Sequence, residues 1–285
     1  HVAQRIRRLT GGFSIFVEVG TSLEGKAVRH LIVRVKTLAD DFDEALIFIG
    51  ELLRGANVDD KKRIRYVFNN YKSEFSEVVT YSATNFAASY ATRTFSEAGR
   101  DAEQIGGLSQ WFHLTTLDPD TLGTRFKELG LRLANRRRLV AHVSCEEPLV
   151  ENAQKSIETF ITGFEDRGAL AREPAGHGQV GPTANPLVNL FKLPSTVSYA
   201  AWALRSAKRG SVIQSAQVLL AQVLTTGTLW ETIRGQGGAY GVSAATDVAE
   251  ETFILSTYRD PRIAGTFIDL KRILEEAATR VFTEK

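Results

Sequence analysis

Residues 229–241 read Leu229-Trp230-Glu231-Thr232-Ile233-Arg234-Gly235-Gln236-Gly237-Gly238-Ala239-Tyr240-Gly241. The run from Ser211 to Ile233 is helical by pattern. Gly235, Gly237 and Gly238 then end it, because glycine takes the left-handed and extended dihedrals of a helix terminus without steric cost. Arg234 therefore closes a helix. Ala239-Tyr240-Gly241-Val242-Ser243 opens a strand, so a guanidinium and a phenol six positions apart in the sequence can converge on one carbonyl or carboxylate oxygen. Taken on spacing alone, a plainer reading prevails: the arginine bonds its own helix carbonyls and the tyrosine packs on the sheet.

Downstream, residues 240–245 and 252–258 form a hairpin around Asp247, and Asp260-Pro261 starts a helix with an aspartate N-cap and proline at the first helical position. Its inward face carries Ile263, Phe267, Leu270, Ile273 and Leu274. The same grammar opens the chain. Residues 11–19 and 30–35 are β-rich runs joined by a polar turn with Gly20 and Gly25. Asp40 or Asp41 then caps a helix with Phe42, Leu46, Ile49 and Leu53, apolar enough all round to be well buried. Two hairpin-then-helix units imply an α+β fold of two related domains, each an antiparallel-rich sheet packed with helices. Leu117-Asp118-Pro119-Asp120-Thr121, a stop followed by a fresh N-cap, places the boundary between residues 1–118 and 119–285.

Between these units the pattern predicts a helix over 59–79, with Ile64, Val67, Phe68, Tyr71, Phe75 and Val78 inward, and a small-residue helix over 82–98. Gly106-Gly107 breaks the chain before a helix over 108–116. The next helix turns Leu122, Phe126, Leu129 and Leu133 inward. Arg136, Arg137 and Arg138 read as favourable charge after a helix end rather than a nucleic-acid patch. Residues 139–144 read as a strand, Val150, Ala153, Ile157, Phe160, Ile161 and Phe164 as a helix face, residues 167–186 as a long Gly/Pro loop, and residues 187–193 and 197–204 as strands.

Composition excludes several classes. Acidic and basic residues are interspersed, and the net charge of +2 over 285 residues gives no field for nucleic acid or an anionic membrane. The single cysteine, Cys145, excludes an intramolecular disulfide; set in an apolar-leaning strand without an evident base, it reads as a buried bystander, which fits a reducing intracellular setting. No window comes near the roughly 20 apolar residues of a membrane span, and no apolar run marks a signal peptide, so a soluble chain without membrane contact is expected. The sequence contains no methionine and begins as if inside an element. It is expected to be a fragment, and dropped modified methionines would explain the gap.

Chemistry by motif is equally restricted. His1, His30, His113, His142 and His177 have no pair at helical metal-ligand spacing, and neither His-x-x-Glu-His nor His-Glu-x-x-His occurs. Phosphate loops follow a strand and open a helix, whereas here a helix C-terminus enters the glycines and no Gly-Lys-Ser/Thr follows. There is no Gly-x-Ser-x-Gly elbow.

The run Ile233-Arg234-Gly235-Gln236-Gly237-Gly238-Ala239-Tyr240-Gly241, with Tyr258-Arg259-Asp260-Pro261 after it, resembles the second half of the pitrilysin/insulinase zinc metallopeptidases, and within them the presequence-protease and falcilysin branch. Weaker matches are Thr10-Gly11-Gly12, the helix with Arg63 and Lys72-Ser73, and Gly106-Gly107-Leu108-Ser109. The resemblance implies a clamshell of two homologous halves around a closed chamber that degrades unstructured peptides. Zinc and its His-x-x-Glu-His then belong to the first half and no cofactor to this chain, with a first-half glutamate activating water. Arg234 and Tyr240 would be the catalytic pair that reaches the substrate carbonyl, with Gly237 and Gly238 joining them in substrate binding. The expected partners are a peptide and an N-terminal catalytic half, on the same polypeptide or as a separate subunit. The fragment alone is not expected to hydrolyse peptides, and the compartment is expected to be a bacterial cytoplasm or an organellar matrix. The alternative is a catalytically silent, structural or peptide-holding subunit of the same fold.

Overall fold

The computed structural model describes residues 2–54, 58–168 and 188–279. In chain order it runs α1 (Val2–Leu9), β1 (Gly12–Thr21), β2 (Ala27–Lys36), α2 (Phe42–Arg54), α3 (Lys61–Tyr81), α4 (Ala83–Thr92), α5 (Glu97–Gly106), α6 (Leu108–Thr116), α7 (Leu122–Leu133), α8 (Val150–Thr162), β3 (Ser198–Arg205), α9 (Val212–Thr226), a π-helical turn (Trp230–Gln236), β4 (Gly241–Asp247), β5 (Thr252–Asp260) and α10 (Ile263–Thr279). The expected α+β class is what forms, with two antiparallel sheets among helices. Packing separates the chain into two compact units, residues 1–17, 30–71 and 117–178, and residues 18–29, 72–116 and 179–285.

In the first unit, Leu9, Ala45 and Phe48 are buried, and the Phe13 ring tilts onto Phe48 at 6.2 Å. Arg54 lays its guanidinium over Phe164 at 4.2 Å and donates to the Gly163 carbonyl at 3.1 Å, which ties α2 to the end of α8. Arg137 and Arg136 ion-pair with Asp166 at 2.7 and 3.5 Å. The arginine triplet is thus a local acid-paired turn. These partners, with the backbone N–H of Gly168, hold the Asp166 carboxyl down at about 2.

Several expectations change here. Residues 139–144 form no strand, and Cys145 is exposed rather than buried. β-rich composition makes a strand only where a neighbouring strand supplies hydrogen bonds, and no such neighbour flanks this run among the described residues. Val67 and Tyr71, expected inward on α3, are exposed, while Phe68 is buried; further along, Val78 is exposed and Val79 is fully buried. The inward stripe is therefore displaced around the helix from the predicted one. Ile47 on α2 is also exposed. On α7 Leu122 is buried, but Phe126 and Leu129 are half exposed. They line an apolar cavity of about 780 Å³ with Ile15, Leu31, Val33 and Leu53.

In the second unit, β5 lies between β3 and β4, antiparallel to both. As the central strand it buries most of its residues, Leu255 and Thr257 almost completely. Leu224, Leu229, Ile233, Val242, Phe253, Leu255, Leu270 and Ile273 form one core. α4 packs on β3 and β5, where the Thr84 hydroxyl donates to the Thr257 carbonyl at 2.9 Å. The single helix expected over 82–98 is two. A turn follows α4, and Ser96 caps α5 by accepting from the Gly99 N–H at 2.8 Å. Residues 188–193, expected in a strand, have no ladder; Phe191 instead sets its ring edge-on to Tyr90 at 4.7 Å, so this stretch is held by a side chain. The strand expected over 197–204 is β3.

The break at Gly106-Gly107 has a buried cause. Glu103, 1% exposed, accepts from the Ser89 hydroxyl at 2.8 Å and from the Ser109 N–H at 3.0 Å, capping α6 from inside. A Cβ at Gly107 would overlap this carboxylate, so the glycine makes room for the acid. Burial pushes the Glu103 carboxyl above its ordinary range, and its hydrogen bonds with the Arg93 charge only partly offset that. The expected loop over 167–186 lies, from residue 169 on, outside the described residues.

Candidate functional site

Ser211 starts α9 as expected, its hydroxyl accepting from the Gln214 N–H. The helix does not stop at the first glycine of the motif. It passes an irregular turn at Gly227 and continues, widened into a π-turn, to Gln236. The Gly237 N–H reaches back five residues to the Thr232 carbonyl at 2.9 Å, and the Ala239 N–H bonds the Ile233 carbonyl at 3.1 Å. Widened turns of this kind concentrate at functional sites. The whole helix, Val212–Gln236, is long and apolar enough to cross a membrane by length and composition, with a mean hydropathy of 1.2, which corrects the expectation that no window comes near a span. Here its inner face, Ala221, Leu224, Leu229 and Ile233, is core.

The π-turn anchors with Thr232 and Ile233, both buried, and turns Trp230 and Arg234 outward. The Arg234 guanidinium lies over the Trp230 ring at 4.0 Å and 5.5 Å from the centroid of the Tyr240 ring. Arginine and tyrosine, six residues apart in sequence, are therefore neighbours in space. Stacking occupies the face of the guanidinium, while its five N–H donors lie in the plane and stay available. Among the described residues Arg234 has no ion pair, and neither it nor the Tyr240 hydroxyl has a hydrogen-bond partner. Arg234 is stacked on an indole instead of capping its helix, and Tyr240 stands 64% exposed instead of packing flat on the sheet.

The two other motif residues do structural work. A Cβ at Gly237 would lie 2.5 Å from the Ile233 carbonyl oxygen and would overlap the Arg262 guanidinium, so only glycine permits the chain to close against the π-turn. Gly238, at φ +80°, turns the backbone left-handed toward Tyr240.

Sequence reasoning missed the rest of the surround. β5 carries one extra residue against β3: Ala200 faces Thr257 and Ser198 faces Asp260, leaving Tyr258 and Arg259 opposite Tyr199. Arg259 takes a left-handed φ of +50° at this bulge, an unfavourable conformation for a residue with a Cβ. Its carbonyl accepts from the Tyr240 N–H at 3.3 Å. Tyr258 stands edge-on to Tyr240 at 5.9 Å and tilted to Tyr199 at 5.7 Å, so three tyrosine rings line up behind the Arg234–Trp230 stack. The signal available in sequence was the Tyr258-Arg259-Asp260-Pro261 run, without its geometry. As expected, Asp260 caps α10, accepting from the Arg262 N–H at 2.8 Å. Its other carboxylate oxygen is buried with no partner among the described residues.

Arg234, Tyr240 and the glycines are donors and backbone, not metal ligands. Among the described residues no three His, Cys, Asp or Glu side chains gather in a metal-holding group. His1 and His177 lie outside the described residues, and His142 sits beside Ser144 at 3.2 Å on an exposed stretch. What the site offers is a cation and a phenol on an exposed aromatic platform, suited to a polarised oxygen and to an extended chain with aromatic or aliphatic groups.

Two family models match the chain: one described as the peptidase-associated region of metallopeptidase subfamily 16C, over residues 1–117, and one described as the PreP C-terminal domain, over residues 188–280. The chain is a presequence-protease-like C-terminal region of that subfamily. Among curated relatives, presequence protease 1, chloroplastic/mitochondrial, of Arabidopsis thaliana is 25% identical over 92% of this chain and 24% of its own length. The mitochondrial presequence protease of Yarrowia lipolytica is 24% identical over 92% of the chain and 27% of its own length. An uncharacterised protein of Borreliella burgdorferi is 23% identical over the full chain and 29% of its own length. The chain thus spans between a quarter and three tenths of the relatives it matches. Arg234, Tyr240 and the bulge all fall within the PreP C-terminal match.

Proposed function

We propose that this presequence-protease-like region is the substrate-holding part of a zinc metalloendopeptidase that degrades unstructured peptides in a closed chamber. In this reading residues 1–118 and 119–285 are the two α+β domains of the C-terminal half, and the second supplies Arg234 and Tyr240. The described residues of this chain do not suit a zinc site, so the metal belongs to the N-terminal half, on the same polypeptide or on a partner subunit. The compartment is an intracellular one.

The observation that carries the proposal is the pairing of Arg234 with Tyr240, 5.5 Å apart, outward-facing and held by a buried π-turn and a central strand. The Arg234 N–H donors and the Tyr240 hydroxyl converge on the carbonyl oxygen of the peptide bond under attack. Their positive ends meet the negative charge that develops there, with no reorganisation at the moment of reaction. Gly237 and Gly238 act with them by letting the backbone close behind the pair, which leaves room for an extended peptide. In the complete enzyme, Arg234→Ala and Tyr240→Phe should each lower turnover of an unstructured peptide by roughly ten- to a thousandfold. Unchanged kinetics in both variants would defeat the proposal. The phenol-only change is the sharper of the two because the ring and its contact with Tyr258 remain.

A further inference from the structure

The Tyr258-Arg259 bulge has no part in the function proposed above, yet it touches the functional tyrosine from two directions. The Arg259 carbonyl holds the Tyr240 N–H at 3.3 Å, and the Tyr258 ring stands edge-on to the Tyr240 ring at 5.9 Å. Both contacts depend on one conformation. With a regular ladder, Ser198 would face Arg259; instead it faces Asp260, and the extra residue is accommodated by φ +50° at Arg259. Left-handed positions in strands normally go to glycine. A long cationic side chain there is a local conflict, and such conflicts are retained where a bulge re-aims a side chain beside a site.

We propose that Arg259 is a positioning residue acting through its backbone: the left-handed bulge, with Tyr258 as its ring contact, fixes where the Tyr240 hydroxyl stands. The charge of Arg259 is not the agent. Its guanidinium stacks back on its own neighbour, 5.4 Å from the Tyr258 ring centroid, while the carbonyl and φ make the connection to Tyr240. Tyr199 backs Tyr258 from the far side at 5.7 Å, so the ring that touches Tyr240 is itself wedged.

The proposal rests on the peptidase reading for its kinetic consequence and stands apart from it for its geometry. The test uses the complete enzyme and three changes at one position. Arg259→Val cannot hold φ +50°, because a β-branched residue is excluded from that region; it should lower kcat at least about tenfold, toward the Tyr240→Phe value, with KM within about twofold. Arg259→Gly holds the conformation without charge and should rescue most of that loss, whereas Arg259→Lys keeps charge with the same strain. Combining Arg259→Val with Tyr240→Phe should cost no more than Tyr240→Phe alone, since the bulge acts through that hydroxyl.

An independent readout is the ¹⁹F resonance of fluorotyrosine placed at position 240. It should move or broaden in Arg259→Val and return to the wild-type position in Arg259→Gly. If Tyr240→Phe leaves turnover unchanged, the peptidase reading fails while the ¹⁹F comparison still judges the bulge. Should Arg259→Val not fold, Tyr258→Leu against Tyr258→Phe serves instead: loss of the ring should shift the resonance, and loss of the hydroxyl alone should not. The proposal is overturned if Arg259→Gly is as impaired as Arg259→Val, which would assign the role to the guanidinium. A ¹⁹F signal indifferent to both pairs of substitutions would overturn it as well.

Discussion

Substituting alanine at two glycines of one turn should move stability in opposite directions. At Gly237 a new Cβ meets two groups, the Arg262 guanidinium, which it would overlap, and the Ile233 carbonyl oxygen at 2.5 Å. The first can yield, because Arg262 is a partly exposed side chain ion-paired to Asp269 at 3.1 Å. The second cannot: Ile233 is fully buried, and its carbonyl already accepts the Ala239 N–H. The backbone must therefore shift by a good part of an ångström, an overpacking that costs about 1–3 kcal/mol. In a unit of this size each kcal/mol is worth about 2–4 °C, so Gly237→Ala should lower the melting temperature by about 2–12 °C. At Gly235 the nearest atom is the Trp230 carbonyl oxygen at 3.6 Å, an ordinary contact. Gly235→Ala should leave the melt unchanged or raise it, by up to the propensity gain of about 1 kcal/mol. Scanning calorimetry on the complete protein measures both. If Gly237→Ala melts as high as Gly235→Ala, the close approach of the π-turn to residue 237 is wrong.

Two further predictions concern buried or paired acids. Glu103 has its folded pKa raised by burial, so the folded state binds the extra proton between that value and the ordinary carboxyl value near 4.3. Its contribution to stability should rise as pH falls through this window, and Glu103→Gln should flatten the rise; Glu103→Ala, which strands the Ser89 hydroxyl and the Ser109 N–H, should cost about 2–4 kcal/mol in urea unfolding. Asp166 is shifted the other way, to about 2. Its contribution should be complete above the ordinary aspartate value of about 3.9 and be lost between there and pH 2, so Asp166→Asn should remove that acid limb from a pH titration of stability.

The second unit was readable because its punctuation is chemically unambiguous. Asp260-Pro261 is a helix start wherever it occurs, and the alternation on either side of Asp247 allows one hairpin. α3 was harder: Val67, Phe68, Tyr71, Phe75, Val78 and Val79 offer more apolar surface than one stripe can use, and periodicity alone could not choose between overlapping faces. Residues 139–144 show the limit of β propensity, since Val140 and Val143 favour a strand but cannot supply its neighbour. At the site, sequence pointed to Arg234 and Tyr240 and to glycines between them. It could not say which glycine ends the helix, because Gly235 and Gly237 look alike until the five-residue hydrogen bond to Thr232 is drawn. Arg259 gave no warning of a left-handed turn, since the residue that signals one is glycine. Glu103 was missed for a related reason. A buried acid looks, in sequence, like any surface glutamate, and only the Gly107 that makes space for it was visible.

The π-turn also sets what happens when the chain changes length. Its ladder spans five residues where an α-helix spans four, so the segment holds one residue more than an α-helical path would need. Deleting one residue between Trp230 and Arg234 would let ordinary helical bonding resume and should be tolerated by the fold. It would also turn Arg234 by about 100° relative to Trp230, taking the guanidinium off its indole and away from Tyr240. At this helix end a shortened chain would keep its shape and lose its aim.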